Sequence, residues 1–272
     1  MHLKDYIPNL GNKFKKIIFS GISFDSSKVK RDNIFFAIKG NKTDGNEYID
    51  NAIRKGAKII ITEKKILKKK DGIIYLYTSN VRKLLSEVSY KLIKIRPKKL
   101  IAVTGTNGKS SIAEFYFQIL KLNSKKVASI GTIGLRFFKN KKTLTNTTLD
   151  PIQISLILKE LKKKKVDYII MEASSHGLKQ HRLDNINFNT AIFTNLSRDH
   201  LDYHKTFKDY INSKLVLFNR LLNYKGNIIF DNKIPQAKIL NLISTKRKLK
   251  KYNFSGKKPF FDIIKIQQVN NK

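Results

Sequence analysis

The stretch Val103-Thr104-Gly105-Thr106-Asn107-Gly108-Lys109-Ser110-Ser111 decides the fold. It joins a short apolar run, Leu100–Val103, to a segment with helical spacing, Lys109–Leu122. Strand, glycine-bearing loop and helix, in that order, make a phosphate cradle. Gly105 and Gly108 let backbone N–H groups approach an anion closely, and the helix N-terminus adds partial positive charge. Lys109 has the reach for β- and γ-phosphates, and the Ser110 hydroxyl suits Mg2+. The full P-loop pattern carries Gly at the position held here by Val103, so this is a shortened variant. Gly105 to Ser111, including Thr106, Asn107, Gly108, Lys109 and Ser110, are therefore the candidate nucleotide-binding residues. The plain alternative is a glycine-rich strand-to-helix turn.

Outward from the loop, strands and helices alternate. Val127–Ile130, Val166–Met171, Ala191–Thr194 and Asn227–Phe230 read as strands. Ile152–Lys164, Thr206–Leu222 and Ile234–Ile243 read as helices. This rhythm predicts a parallel sheet covered on both faces, with the ligand beyond the carboxyl ends of its strands. Upstream, Ile17–Phe19, Asn33–Ile38, Lys58–Thr62 and Ile73–Thr78 read as strands, with helices over Asn46–Gly56 and Val81–Ile95. Pro97 and its flanking lysines break the last helix. The expected architecture is α/β. A mixed α/β domain occupies residues 1–97, and a P-loop parallel-sheet domain occupies residues 98–272.

Two further features belong at the carboxyl edge. Glu172 follows the strand VDYIIM and offers a hard oxygen ligand for Mg2+; an ordinary strand-end Glu is the alternative. His176, His181, His200 and His204 are four of only 5 histidines in the chain. His200 follows the strand AIFT and could ligate a metal, although a lone His more often packs or hydrogen-bonds. Lys214 lies in the next helix; as an ammonium it cannot bind a cation, so a metal role requires a carbamate.

Composition sets limits on the rest. The chain has 272 residues with 41% apolar side chains, enough for real cores and too many for a disordered tail. Without Cys there is no disulfide, zinc–thiolate site or thiol nucleophile. No apolar run approaches the length of a membrane span, and the first residues do not read as a secretory signal. A cytoplasmic, membrane-free protein is expected. The net charge of +36 would attract any polyanion. The lysines are spread along the whole chain beside abundant Asn and Ile, which fits compositional drift. The charge is expected to raise nonspecific affinity for nucleic acid without defining a function, so no specific nucleic-acid partner is expected.

Four stretches together carry a resemblance: TGTNGKSS (104–111), NTTLDP (146–151), MEASSHGLKQHR (171–182) and TNLSRDHLDYH (194–204). SKLVLF (213–218) and FDSSKVKRDNIFFAIKGNKTDGNEYI (24–49) support it. The chain resembles the Mur ligase family of peptidoglycan synthesis, most closely its MurE type. That resemblance implies an ATP-dependent amide ligase with Mg2+. It would add meso-diaminopimelate or L-lysine to UDP-N-acetylmuramoyl-L-alanyl-D-glutamate through an acyl phosphate. It assigns Lys109, His200 and a carbamylated Lys214 to catalysis, and Ser110, Glu172, His200 and Lys214 to metal ions. It assigns Ser26, Asn41, Lys42, Thr43, Asn146, Thr147, Thr148, Ser174, Gln180 and Arg182 to the UDP-substrate. Monomer is the family default.

The sequence also departs from the family pattern. Ser110 stands where Thr is usual, keeping the hydroxyl, and Asp25-Ser26-Ser27 lacks the usual Arg. The family's third domain has no counterpart before Lys272, so a truncated product is expected. The rival readings are another Mur-type or folylpolyglutamate ligase, and a basic P-loop NTPase acting on nucleic acid.

Overall fold

The structure, a computed structural model, describes residues 1–272 except 8, 9, 12, 13, 15, 41, 42, 68, 94–96, 254 and 256–272. The chain forms two compact units. The first comprises Met1–Arg96 with Asp150–Glu160 and Gln180–Asn185; the second comprises the rest.

In the first unit, β1 (Gly21–Ser23), β2 (Asn33–Phe36), β3 (Ala57–Thr62) and β4 (Ile74–Tyr77) form a parallel sheet in that order. Side chains of a strand alternate between faces, and β2 is buried on both. Ile34 and Phe36 pack with Ile59, Ile61 and the inner side of α2 (Val81–Lys91), namely Val81, Leu85 and Val88. Phe35 and Ala37 pack with Ile60 and, from α1 (Ile49–Arg54), Ile49 and Ala52. That explains why NIFF is apolar throughout. Some boundaries differ from the sequence reading, and the helix expected over 81–95 ends at Lys91. Ile17–Phe19 is not a strand: Ile18 makes only an isolated bridge to His2. The expected helix over 46–56 opens as a 3-10 turn, Gly45–Tyr48, capped by Asp44.

The second unit is built on eight strands: β5 (Lys99–Thr104), β6 (Val127–Gly131), β7 (Gly134–Phe137), β8 (Asn140–Lys142), β9 (Tyr168–Glu172), β10 (Phe188–Phe193), β11 (Leu222–Ile229) and β12 (Lys250–Tyr252). Their order is β12-β11-β10-β5-β9-β6-β7-β8. The first six are parallel, whereas β7 and β8 add an antiparallel edge. The expected parallel sheet is present, with an antiparallel hairpin added at one edge. The four-residue span Gly131–Gly134, with Gly134 at φ +111°, turns the chain straight back after β6. Its helices are α3 (Lys109–Leu122), α4 (Pro151–Lys163, shared with the first unit), α5 (Ser175–Lys179), α6 (Leu201–His204), α7 (Phe207–Val216) and α8 (Ala237–Lys246). The single helix expected over 206–222 ends at Val216 and continues as a π-helical turn, Leu217–Leu221. β5 lies between β9 and β10, so the chain crosses to opposite sides of it. Such a switch point opens a crevice at the carboxyl edge, and the Gly105–Gly108 loop leaves β5 there.

Candidate functional site

The loop is shaped by two glycines with different reasons. Gly105 has φ +147°, and a Cβ there would lie 1.8 Å from Thr194 Oγ1. Gly108 has open space around it but φ +80°, the left-handed conformation that begins α3. The segment after β10 pins the loop. Asn107 N–H donates to Asn195 Oδ1 (3.0 Å), Thr106 N–H to the Asn195 carbonyl (3.0 Å), and Thr194 Oγ1 to the Asn107 carbonyl (2.7 Å). Thr106 Oγ1 lies 3.0 Å from the hydroxyl of the buried Tyr210.

Two lysines converge on one carbonyl. Lys109 Nζ donates to Gly105 O (3.0 Å) and Thr106 O (2.7 Å), and Lys214 Nζ donates to Gly105 O (2.7 Å). Lys214 is 1% exposed and sits 4.4 Å from the Tyr210 ring centroid. Burial first, and the charge of Lys109 second, push the Lys214 ammonium down to about 7 against the pull of Asp199. Burial lowers Lys109 as well.

Glu172, the last residue of β9 rather than the one after it, is 2% exposed. Its Oε2 accepts from Ser110 Oγ (2.9 Å) and Thr132 Oγ1 (3.2 Å), and its Oε1 accepts from Thr132 N–H (2.8 Å). These residues, with His200, Thr147, Ser174 and Lys214, line one cavity of about 350 Å³. A carboxylate and a hydroxyl held together beside a helix N-terminus fit a hard dication such as Mg2+. That ion keeps much of its shell as water and substrate phosphate. Among the described residues, no group of three or more His, Asp or Glu is spaced to cage a metal.

The other candidates fall in different places. Thr148 is 2% exposed and its hydroxyl is used internally, donating to the Glu172 carbonyl (2.9 Å) and accepting from Ser174 N–H (3.0 Å). Asn146 is exposed and does not line the cavity. Gln180 and Arg182 cluster with the first unit, where the Arg182 fork donates to Gln180 Oε1 at 3.0 and 2.7 Å. Ser26 opens a 3-10 turn capped by Asp25, whose carboxylate the Ser27 hydrogen bonds hold below its usual range. Thr43 is exposed and its carbonyl accepts from Gly40 N–H (2.8 Å), while Asn41 and Lys42 lie outside the described residues. His176 packs its ring on Tyr203 (4.1 Å), His200 (4.9 Å) and His204 (5.4 Å). Sequence reasoning missed Thr132, Asn195 and Tyr210. Thr132 directly follows a strand, where ligand residues were expected, and Tyr210 lies one helical turn before Lys214.

Residues 103–272 match the Mur ligase middle domain, and residues 18–100 match the Mur ligase family, catalytic domain. The chain belongs to the Mur ligase family. Among its curated relatives are UDP-N-acetylmuramoyl-L-alanyl-D-glutamate–2,6-diaminopimelate ligases from two rickettsiae. The Rickettsia prowazekii enzyme is 38% identical over 262 residues, 95% of this chain and 54% of the relative. The Rickettsia conorii enzyme is 42% identical over 236 residues, 85% of this chain and 49% of the relative. A solved structure of a ligase with the same name superposes with a TM-score of 0.82 at 27% identity, covering 96% of this chain and 53% of that one. This Mur ligase chain thus spans about half the length of the curated relatives it matches. Its α/β fold is that of the family.

Proposed function

We infer that this chain carries the nucleotide and acceptor sites of an ATP-dependent amide ligase of peptidoglycan synthesis. The acceptor is UDP-N-acetylmuramoyl-L-alanyl-D-glutamate, and the relatives' names favour 2,6-diaminopimelate over L-lysine as the amino acid added. The observation that carries the reading is the Gly105–Ser110 loop with Glu172 locked to Ser110 Oγ at 2.9 Å.

In this reading, backbone N–H groups at the start of α3 take the phosphates of ATP, and Lys109 leaves its two carbonyl partners to reach them. Phosphoryl transfer to the glutamate carboxylate gives an acyl phosphate. The amine of the incoming amino acid displaces phosphate, forming the amide. Ser110 and Glu172 would hold one Mg2+, and His200 with a carbamylated Lys214 a second; both would neutralise charge on the transferring group. The protein contributes positioning and fixed dipoles. A Lys214 amine near pKa 7 is substantially neutral at physiological pH, the form that attacks CO2 to give a carbamate. Arg182 would pair with an acceptor carboxylate or phosphate. Among the described residues no helix is long and apolar enough to cross a membrane; a cytoplasmic monomer is part of the proposal.

Calorimetric titration tests the reading. Saturable binding of the UDP-dipeptide that is lost in Arg182→Ala, together with Mg·ATP binding lost in Lys109→Ala, is the expected result. An unsubstituted chain that binds neither ligand would overturn it.

A further inference from the structure

Thr132 lies at the turn after β6, with its side chain exposed, so packing does not explain what it contacts. It grips both oxygens of Glu172: its N–H donates to Oε1 at 2.8 Å and its hydroxyl to Oε2 at 3.2 Å. With that hydroxyl proton spent on Glu172, the 3.0 Å contact to Thr147 Oγ1 is one in which Thr147 donates. A second observation points the same way. The Glu172 carboxylate lies directly over Gly131, where a Cβ would come within 2.2 Å of Oε1. Gly131 leaves the space and Thr132 fixes the rotation, so the pair forms a cradle for one carboxylate. The Ser110 hydroxyl then meets Oε2 from the phosphate loop.

We propose that Thr132 is a positioning residue. It orients the Glu172 carboxylate beside Ser110 so that the cation-dependent part of nucleotide binding depends on a side chain that need not touch the nucleotide. A carboxylate free to rotate about its last torsions must be ordered when a dication binds, and the Thr132 grip meets that ordering cost in advance. The bland alternative is that Thr132 merely shapes the turn into β7. That would be a backbone task, indifferent to its hydroxyl. The inference rests on the nucleotide-binding reading of the loop.

The test uses the full chain and a fluorescent ADP analogue, titrated with MgCl2 and, separately, in EDTA. In the unsubstituted chain Mg2+ is expected to tighten binding. Thr132→Val keeps shape and backbone but removes the hydroxyl. It is expected to weaken Mg2+-dependent binding about tenfold, the usual effect of losing a hydrogen bond to a charged group. Because Thr132 lines the cavity, binding in EDTA is allowed to fall as well, but by less than binding in Mg2+. Thr132→Ser should restore the Mg2+ effect. A Thr132→Val chain that keeps the full Mg2+ effect, or a Ser variant that fails to restore it, overturns the inference while leaving the loop assignment intact. An unsubstituted chain with no nucleotide binding at all overturns both.

Discussion

His204 shows how a buried residue makes stability depend on pH. It is fully buried, with Nδ1 3.3 Å from Ser213 Oγ and 3.6 Å from an Asp209 oxygen. Burial first, and the Lys179 charge second, lower its pKa from 6.5 to about 4. The unfolded chain therefore takes up a proton below pH 6.5 that the folded chain refuses until about pH 4. Stability should fall across that window, by on the order of 3 kcal/mol in all, and level off below it. Asp209, held below its usual range by Lys179, acts lower still, because a depressed carboxylate loses its contribution only as pH drops through its folded pKa. Urea midpoints between pH 7 and 4 should show the slope, and His204→Gln should flatten it. Lys214 has the opposite position on the scale. Its folded pKa of about 7 against 10.5 means stability rises with pH between those values. Supplying 13C-bicarbonate at neutral pH should give a carbamate carbon signal that disappears in Lys214→Arg. A chain with no such signal would leave Lys214 as an amine. Gly105→Ala combines a positive φ with a clash on Thr194, so it should destabilise by about 2 kcal/mol or more and abolish nucleotide binding.

At the scale of elements, α3 is held by the strands it covers and by the hairpin that follows. Ala113 packs against Val103 of β5 and Ile170 of β9. Phe117 is 1% exposed with the Arg136 guanidinium 4.6 Å above its ring, and Arg136 also pairs with Glu114. Phe117→Ala should cost about 3–5 kcal/mol and lower the melting temperature well below that of the unsubstituted chain; an unchanged melting curve would mean that α3 does not depend on this packing. α3 was legible in the sequence at both ends, because Gly108 marks its start and its apolar spacing is regular. β6 was legible too, as a short apolar run. β7 and β8 were not. Their side chains, GLRF and NKK, carry little apolar alternation, and the turn between β6 and β7 rests on the backbone freedom of Gly134 rather than on a turn dipeptide. The break of α7 at Val216 was invisible for another reason: the π-helical turn that follows is as apolar as the helix it ends. In the site, Lys109 and Ser110 could be named from the spacing of the phosphate loop, and Glu172 from its place at the end of a strand. The partners that hold them could not. Tyr210 reaches Thr106 across 104 residues of sequence, and Asn195 reaches Asn107 across 88, so only the folded sheet brings them together.

At the scale of the whole second unit, the charge has a direction. Parallel strands put all their amino ends at one edge of the sheet and the phosphate loop at the other. The amino edge carries PKK (97–99), SKK (124–126), KKKK (162–165), YKG (224–226) and KRKLKK (246–251). Asp167, beside KKKK, is already paired with Lys162 at 2.7 Å, and Asp184 is the acid on the approach to β10. At the carboxyl edge Arg198 is matched by Asp199 and Lys233 by Asp231, and the exposed Lys142 at the end of β8 is the unmatched charge set against the five basic segments of the other edge. Helix C-termini account for some of the lysines, since Lys162, Lys163 and Lys246 end α4 and α8 and complement their dipoles. Lys125, Lys126, Lys248 and Lys250 have no such role and are exposed. Nonspecific attraction for polyanions should therefore concentrate at the edge away from the nucleotide loop. Binding of a single-stranded RNA homopolymer should weaken steeply with salt. Changing those four lysines to Gln should reduce the log–log salt slope by up to about 3, at about 0.7 per phosphate contact, and leave binding of the fluorescent ADP analogue unchanged. An unaltered slope would mean that the attraction is spread over the whole surface, as lysine enrichment without spatial order would produce.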